Sequence, residues 1–228
     1  MDALVGYQLE DSIATITLDD GKVNVMSLQM QREINEAFDR AERDRAVVVL
    51  AGRDGVFSAG FDLSVLSAGG RDAIAMVRGG FELASRVLSF PFPVVIACTG
   101  HAIAMGTFLL LSGDHRIGTA GAYKLAANEV AIGLTMPYAA VEILRQRLSP
   151  SAFNRAVTLA ETFTPENAVE SGFLDQVVAA AELQTTARSV AAAATLLDLG
   201  AHAASKLRAR ASALAAIRAG LESDDAEA

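Results

Sequence analysis

The sequence predicts an α/β fold, a single domain of alternating strands and helices that continues into a helical C-terminal part. Two apolar runs, residues 46–51 and 93–100, are continuous rather than alternating, which is typical of parallel strands buried on both faces. Helical periodicity dominates the second half of the chain. With 228 residues the chain is long enough to bury a sizeable core, and no segment has the composition of a linker.

Turn and capping residues indicate the boundaries in the first half. Asp11 and Ser12 suit the turn of a hairpin, and Ser27 suits a helix N-cap. Gly79 and Gly80 weaken the helix in which they lie. The predicted elements are strands at residues 7–10, 13–18, 46–51 and 93–100, a helix after Ser27, a short helix from about Asp62, and helices at 71–88 and 107–112. Glycine-bearing loops are predicted at 52–60 and 101–106.

The second half is predicted to be mostly helical. Thr164, Pro165 and Glu166 combine an N-cap, a proline at the first helical position and an acid in the first turn, and Gly172 suits the end of that helix. The other predicted elements are strands at 114–118, 123–126 and 173–178, and helices at 137–148, 150–159, 182–197 and 201–221. The acidic residues 223–228 are expected to fray.

Composition excludes several classes of function. The 19 Lys and Arg against 27 Asp and Glu give a net charge of −8, whereas nucleic-acid binding needs clustered cations. One cysteine, Cys98, allows no disulfide within the chain, and three scattered histidines share no metal-ligand spacing, so no metal is expected. No apolar run approaches the ~20 residues of a membrane span, and the start lacks the pattern of a signal peptide. A cytoplasmic location is expected.

Two loops carry the chemical signal. The first contains Ala59, Gly60, Phe61, Asp62 and Leu63, and the second covers residues 100–107. Each leads from a predicted strand into a predicted helix, where unpaired backbone N–H groups can bind an anion. Two such loops on successive strands would bring two donors toward one point, as in an oxyanion hole for a thioester enolate. The alternative for each is a plain βα connection, with Asp62 as a helix cap.

Together with four further motifs, these loops resemble the crotonase (enoyl-CoA hydratase/isomerase) superfamily. The motifs are Lys22-Val23-Asn24-Val25, residues 57–63, residues 100–106, residues 113–117, Asn128-Glu129-Val130 and residues 133–137. The resemblance implies a crotonase-like spiral of ββα units with a C-terminal helical region that mediates trimer contacts. Residues 1–178 would form the core for acyl-CoA binding and catalysis, and residues 179–228 a helical region shorter than is usual for the family.

The resemblance also implies a ligand and site residues. The substrate would be an acyl-CoA thioester, without any further cofactor, and the protein would form a homotrimer or hexamer. The backbone N–H groups of Phe61 and Met105 would be the oxyanion donors, and Glu129 the acid/base. The implied substrate-binding residues are Lys22, Val23, Val25, Ala59, Gly60, Phe61, Asp62, Leu63, Met105, Gly106 and Phe108.

Two departures from the family pattern bear on the reaction. Family hydratases use two glutamates; Glu129 matches one, but Phe108, or Thr107 if the alignment slips by one residue, occupies the position of the other. Met105 stands where glycine is usual, so its side chain would have to be accommodated near the acyl group. One carboxylate suits a proton shuttle between C2 and C4 of an enoyl thioester. The apolar neighbours of Glu129 are expected to raise its pKa.

The expected function is therefore enoyl-CoA double-bond isomerisation with Glu129 as the single acid/base. Two alternatives stay open: an enoyl-CoA hydratase of weak activity, and a non-catalytic acyl-CoA-binding protein. Among the other polar residues, His101 and Cys98 are expected to be structural, and Asp114 to bind Arg116 or a backbone donor. A basic stripe is expected on a solvated face of the last helix, with CoA phosphates as its alternative partner. The stripe consists of Lys206, Arg208, Arg210 and Arg218.

Overall fold

The computed structural model describes residues 3–227, with side chains through residue 224. In that range the strands are β1 (Val5–Glu10), β2 (Ile13–Leu18), β3 (Val47–Ala51), β4 (Gly55–Ser58), β5 (Val94–Cys98), β6 (Gly100–Ile103), β7 (His115–Thr119), β8 (Leu125–Ala126) and β9 (Gln176–Val178). The helices are α1 (Leu28–Arg43), α2 (Leu63–Ala68), α3 (Gly70–Ser89), α4 (Met105–Leu111), α5 (Tyr138–Arg145), α6 (Pro150–Leu159), α7 (Pro165–Ser171), α8 (Leu183–Ala194) and α9 (Leu199–Glu227).

The strands form two sheets between which the chain alternates. The larger sheet has the order β1-β2-β3-β5-β7-β9, and the smaller has the order β4-β6-β8. All pairs are parallel except the β1–β2 hairpin. Strands β3, β5 and β7 of the large sheet are each followed by one strand of the small sheet. The first two of these strand pairs lead into helices, so the predicted α/β fold of ββα units is confirmed.

Both faces of the large sheet are buried, as its continuous apolar runs predict. The main core lies on the face that α1, α3 and α4 cover, and includes Phe38, Phe81 and Phe108. A smaller cluster fills the opposite face, where Leu183 and Ala187 of α8 pack on the sheet. Because the C-terminal helices contribute to both cores, they pack on the rest of the chain; the division at residue 178 remains a prediction.

Local signals located the turns and caps correctly. Asp11 and Ser12 have φ of 51° and 61°, as a tight hairpin turn requires. Ser27 accepts a hydrogen bond from the N–H of Met30, and Gly172 ends α7 in the left-handed conformation. These features were predictable because they depend only on neighbouring residues.

Two of the three strands of the small sheet, β4 and β6, were not predicted as separate strands. Both predicted glycine-bearing loops contain a strand: β4 lies within residues 52–60, and β6 begins inside the predicted strand 93–100 and extends into the predicted loop 101–106. These strands have four residues each and pair with one another, so their stability comes from a distant partner. The remaining differences are at element ends. The observed strands at 125–126 and 176–178 are shorter than predicted, α4 begins two residues earlier, and α5 and α8 end three residues earlier.

The acidic end of the chain is helical through residue 227, so the prediction that it frays is wrong there; residue 228 lies outside the described residues. Asp224 explains this order. Its carboxylate accepts hydrogen bonds from the backbone N–H groups of Tyr138 (3.0 Å) and Ala139 (3.3 Å), and so caps α5. Helix α9 therefore joins the body of the protein at its far end.

The middle of α9 is held by buried charges. Lys206 Nζ lies 2.6 Å from Asp114 Oδ2, and Arg210 lies 2.9 Å from Asp114 Oδ1. Asp114 also accepts the expected backbone hydrogen bond, from Val94, but Arg116 binds Asp175 instead. The predicted solvated face is thus wrong for Lys206 and Arg210, although Arg208 and Arg218 are exposed. Burial lowers the pKa of Lys206 to about 8, and Asp114 opposes this effect.

Asp114→Ala should destabilise the protein strongly, because it leaves Lys206 and Arg210 buried without their anion. We expect a loss of about 3–5 kcal/mol in the free energy of unfolding, measured by urea titration. Glu36→Ala is the matched control, since Glu36 forms an exposed pair with Arg32 that contributes little. Equal losses in the two variants would contradict the anchoring role of Asp114.

Candidate active site

The connections that follow β4 and β6 touch one another backbone to backbone. The two strands are parallel, with Ser58 opposite Ala102, so both connections leave the small sheet at the same edge. Gly60 has φ of +88°, and a Cβ atom there would lie 2.8 Å from Ala104 Cβ and 3.2 Å from Met105 N. Glycine is therefore required at position 60 for both its conformation and its close contact.

Each of the two touching connections contains one backbone N–H group of interest, that of Phe61 in the first and that of Met105 in the second. Within residues 3–227, no hydrogen bond uses the N–H of Phe61 or the N–H of Met105. Met105 is the first residue of α4, where backbone N–H groups have no partner inside the helix. Ala104, just before it, has φ of 50° and ψ of −123°, a strained conformation for a residue other than glycine. Such strain often accompanies a functional backbone group.

A cavity of about 160 Å³ adjoins the two loops. Its wall includes Ala59, Phe61 and Ala104, so the loop residues and the space beside them belong to one site. Most of the remaining wall is apolar: Leu63, Leu66, Val77, Phe81, Ile132, Leu134 and Pro137. The polar side chains are Asn128, Glu129 and Thr135. An apolar pocket with a few polar groups is typical of a ligand site.

Glu129 is the one carboxyl in this cavity wall, as far as the described residues show. It follows β8, and only 7% of its surface is exposed. Its Oε2 atom has no hydrogen-bond partner within the described structure, and neither has Oδ1 of Asn128 beside it. Burial raises the pKa of Glu129 to about 7, in agreement with the expectation from its apolar neighbours. The group can therefore both accept and donate a proton near neutral pH.

The first loop contains most of the predicted residues that reach the cavity. Ala59, Phe61 and Leu63 line it, whereas Asp62 caps α2 by accepting hydrogen bonds from Ser64 N (2.9 Å) and Ser64 Oγ (2.6 Å). Those hydrogen bonds lower the pKa of Asp62. The helix-cap alternative is thus confirmed for Asp62.

The segment from Lys22 to Val25 lies beside this loop. The Ala59 N–H donates to the Val23 carbonyl (2.9 Å), and the Met26 N–H donates to the Gly60 carbonyl (2.7 Å). Val25 and Gly60 form a parallel bridge, while Lys22 and Val23 are exposed. The three predicted residues therefore border the site without lining the cavity.

Three predicted residues in and just after the second loop do not line the cavity: Met105, Gly106 and Phe108. Met105 is fully buried, and its Sδ atom lies 3.1 Å from where a Cβ on Gly80 would stand. Its side chain therefore does not line the cavity but fills core space that a glycine in α3 leaves open. That it lies near the acyl group remains a prediction. Phe108 is also in the core, where its ring packs on Phe81 at 5.7 Å, and Phe81 forms the cavity wall.

Sequence reasoning assigned no role to several residues that build the site. Asn24 is fully buried; its Nδ2 donates to the carbonyls of Leu18 (2.9 Å) and Phe57 (3.1 Å), and so joins β2 to β4. Val77 and Phe81 of α3 also went unnoticed, because nothing local shows which helix face borders a cavity. Asn128 could have been noted from its position beside Glu129 in the sequence.

His101 and Cys98 have the structural surroundings expected of them. His101 Nδ1 accepts a hydrogen bond from the Lys124 N–H (3.1 Å), and its ring packs on Tyr123. Cys98 is buried, which raises the pKa of its thiol to about 12. Over the described range, no group of three or more His, Cys, Asp or Glu could hold a metal ion. None of the helices described there is long and apolar enough to cross a membrane.

Comparison with known proteins identifies the family. The model of the enoyl-CoA hydratase/isomerase family matches residues 8–223. The chain belongs to the enoyl-CoA hydratase/isomerase family. The resemblance seen in the sequence motifs, and with it the class of enzyme, is confirmed at the level of that family.

Family members of known structure are similar over the whole chain. An enoyl-CoA isomerase of Mycobacterium tuberculosis is 52% identical, with a TM-score of 0.96 and full coverage of both chains. An enoyl-CoA hydratase of Mycobacterium marinum is 54% identical, with a TM-score of 0.95, covering 98% of this chain and 99% of that one. Human mitochondrial enoyl-CoA delta isomerase 1 is 30% identical over 187 residues, which are 79% of this chain but only 61% of the human protein.

The buried Glu129 should make stability depend on pH. Its pKa rises from 4.5 to about 7 on folding, so the folded protein keeps a proton that the unfolded chain releases in this interval. Stability therefore falls as pH rises from 4.5 to 7. Glu129→Gln cannot ionise and should be more stable than the wild type at pH 8, by on the order of 2 kcal/mol, but similar at pH 4.

Urea unfolding at the two pH values measures this difference. Glu36→Gln, on the exposed face of α1, is the control and should show no such dependence. If the gain in Glu129→Gln were the same at both pH values, ionisation of Glu129 would not be its cause.

Proposed function

We propose that the protein is an enoyl-CoA isomerase that moves a double bond of a CoA thioester from the 3-position to the 2-position. The observation that carries this proposal is one buried carboxyl, Glu129, in an apolar cavity adjoining the loops with the free N–H groups of Phe61 and Met105. A shuttle between two carbon atoms needs one acid/base, and an enolate needs donors for its oxygen. No further cofactor enters this chemistry.

In the proposed reaction the thioester oxygen accepts hydrogen bonds from the N–H groups of Phe61 and Met105. Glu129 removes a proton from C2, and the electron pair of that C–H bond delocalises over the thioester and the C3–C4 double bond. The protonated Glu129 then returns the proton to C4, which leaves the double bond between C2 and C3. The pKa of about 7 suits both steps, since the group must act as a base and then as an acid.

Hydration is the less favoured activity. It would require a second group to orient water, and the position that family hydratases fill with a second glutamate holds Phe108, which packs behind Phe81 in the core. Some structural relatives are named enoyl-CoA hydratases, so weak hydration is the second candidate activity. Retention of a buried Glu129 with a raised pKa argues against a non-catalytic acyl-CoA-binding protein, because a binding pocket has no need of an unpartnered carboxyl.

We further propose that the pantetheine and adenine of CoA lie along Lys22, Val23 and Val25, beside the loop Ala59–Leu63. These residues border the connection that holds the Phe61 N–H. A cytoplasmic location also remains a proposal.

Glu129→Gln should abolish isomerisation of a 3-enoyl-CoA and exchange of the C2 proton with deuterated water. Thioester affinity should stay within a few-fold, because glutamine preserves the shape of the pocket. Absorbance at the conjugated thioester follows turnover, and mass spectrometry follows exchange, with Glu142→Gln as a control outside the cavity. Full activity in Glu129→Gln would exclude Glu129 as the shuttle. Rapid hydration by the wild type would instead favour the hydratase, and binding without either reaction would favour the non-catalytic protein.

The oxyanion assignment can be separated from side-chain effects at Phe61. Phe61→Ala removes the ring but keeps the backbone N–H, whereas Phe61→Pro removes both. We expect the proline variant to be slower than the alanine variant by a further ~10²–10³ in kcat, the usual contribution of one such donor. Circular dichroism must show that both variants are folded; equal rates in folded proteins would contradict the assignment.

We propose a homotrimer, or a hexamer of two trimers. Large apolar side chains stay exposed on the single chain, among them Leu159 (70%), Leu196 (87%) and Leu197 (52%), and contacts between copies would cover such residues. Light scattering should give three or six times the chain mass of 23.8 kDa. A monomeric mass at micromolar concentration would contradict this assembly.

A further inference from the structure

Two glycines stand side by side in the middle of α3, although glycine is, after proline, the residue least favourable inside a helix. Gly80 is the buried one of the two. A Cβ atom there would lie 2.5 Å from Cε1 and 2.7 Å from Cζ of Phe61, and 3.1 Å from Sδ of Met105. The space left by the missing side chain, the Gly80 gap, is therefore filled by the side chains of both proposed oxyanion residues.

The peptide group between Gly60 and Phe61 contains the first proposed donor and is held at two points. Its carbonyl oxygen accepts a hydrogen bond from the Met26 N–H (2.7 Å), whereas neither the N–H nor the carbonyl of Phe61 makes one within the described residues. Beyond Gly60 the loop is held by the Phe61 ring, which lies in the Gly80 gap and packs edge to face on Phe81 at 6.2 Å. The direction of the Phe61 N–H depends on both attachments.

The peptide group between Ala104 and Met105, which contains the second donor, is held in the same way. The Ala104 carbonyl accepts hydrogen bonds from the N–H groups of Thr107 (2.8 Å) and Phe108 (3.2 Å) in α4. On the other side, the fully buried Met105 places its sulfur atom in the Gly80 gap. Each donor peptide is thus fixed by backbone hydrogen bonds at its carbonyl, and the side chains of both meet at one position of α3.

We propose that Gly80 is a positioning residue, which sets the relative placement of the two oxyanion N–H groups through the side chains of Phe61 and Met105. Gly80 does not line the cavity and acts only through these two residues. The inference rests on the proposed function, which gives the two N–H groups their role. Because carbon atoms pack at ~3.5–4.0 Å, a Cβ at position 80 would displace the Phe61 ring by about 1 Å. A displacement of that size at a reacting centre can lower turnover ~10²-fold.

Gly80→Ala tests the positioning role. It should lower kcat for a 3-enoyl-CoA by ~10²-fold and change KM by no more than a few-fold, because the cavity wall and the CoA contacts remain. The infrared band of the thioester carbonyl gives a second readout. Butanoyl-CoA labelled with ¹³C at that carbonyl cannot be isomerised, and hydrogen bonds to its oxygen lower the stretching frequency. We expect a lowered frequency on the wild type and a return toward the free thioester on Gly80→Ala.

Gly79→Ala is the matched control, since it adds the same atom to the same helix one residue away. A Cβ there would lie 2.5 Å from Oε1 of Gln31, the end of a side chain of α1 that belongs to neither loop. The crowding and the gain in helix propensity are therefore comparable, but the two donor peptides are not displaced. This variant should keep the kcat and the carbonyl frequency of the wild type, and circular dichroism must show that both variants are folded.

Phe61→Leu tests the route of the effect without crowding the core. Leucine lacks the Cε1 and Cζ atoms that fill the Gly80 gap, so the carbonyl frequency should rise and kcat should fall. Adding Gly80→Ala to Phe61→Leu should then lower kcat by less than about fivefold, against ~10²-fold in the wild type, because the clash is gone. Equal losses in the two backgrounds would overturn the proposal. If Gly80→Ala does not fold, the frequency in Phe61→Leu decides alone: a raised value supports the proposal and an unchanged value overturns it.

The carbonyl frequency also separates this inference from the proposed reaction. A lowered frequency on the wild type that Gly80→Ala reverses would support the positioning role even if no 3-enoyl-CoA were turned over. A raised KM with unchanged kcat and frequency would overturn it, because the Phe61 ring would then have moved into the cavity without moving the N–H. An equally lowered frequency in both proteins would also overturn it and leave the isomerase proposal intact. No lowering on the wild type would contradict the oxyanion role itself, and with it both proposals.

Discussion

The close contact between the connections after β4 and β6 is the constraint on which the site depends. Parallel pairing of two four-residue strands brings both connections to one edge, and Gly60 lets them touch where a Cβ would stand 2.8 Å from Ala104. Because the loops touch, the free N–H groups of Phe61 and Met105 belong to neighbouring segments rather than to separate ends of the sheet. Asn24 stabilises this arrangement, because its Nδ2 donates hydrogen bonds to the carbonyls of Leu18 and Phe57. A larger residue at position 60 would separate the loops, and the donors with them.

The electrostatics of the site depend on the mostly apolar surroundings of Glu129. Glu129 lies in a mostly apolar wall, and among the described residues its Oε2 atom has no hydrogen-bond partner, so desolvation dominates and its pKa rises. An unpartnered buried carboxyl destabilises the folded protein above neutral pH. The same condition makes it an effective proton carrier, and groups at reacting centres commonly combine these two properties. Thus Glu129, which lowers stability above neutral pH, is also the group that supplies the proposed chemistry of the cavity.

Helix α9 is attached to the rest of the chain at two places. Asp114 holds its middle through Lys206 and Arg210, and Asp224 near its end caps α5. The first attachment is a pair of ion pairs, and the second consists of hydrogen bonds that Asp224 accepts from backbone N–H groups. Between them the helix packs on α3. Leu221 is thereby placed across a small cavity from Ala73 of α3.

Features set by neighbouring residues could be predicted from the sequence alone. The buried strands, the hairpin at Asp11 and Ser12, the cap at Asp62 and the apolar surroundings of Glu129 all depend on residue type and local spacing. The tertiary structure alone decided features that depend on distant partners. Strands β4 and β6 are too short to be recognised apart from each other. Lys206 can be buried because it pairs with Asp114, a residue 92 positions away in the chain. Met105 likewise turns into the core because Gly80 on another helix leaves room for its sulfur. Which face of α3 borders a cavity also depends on α9, and no local pattern contains that information.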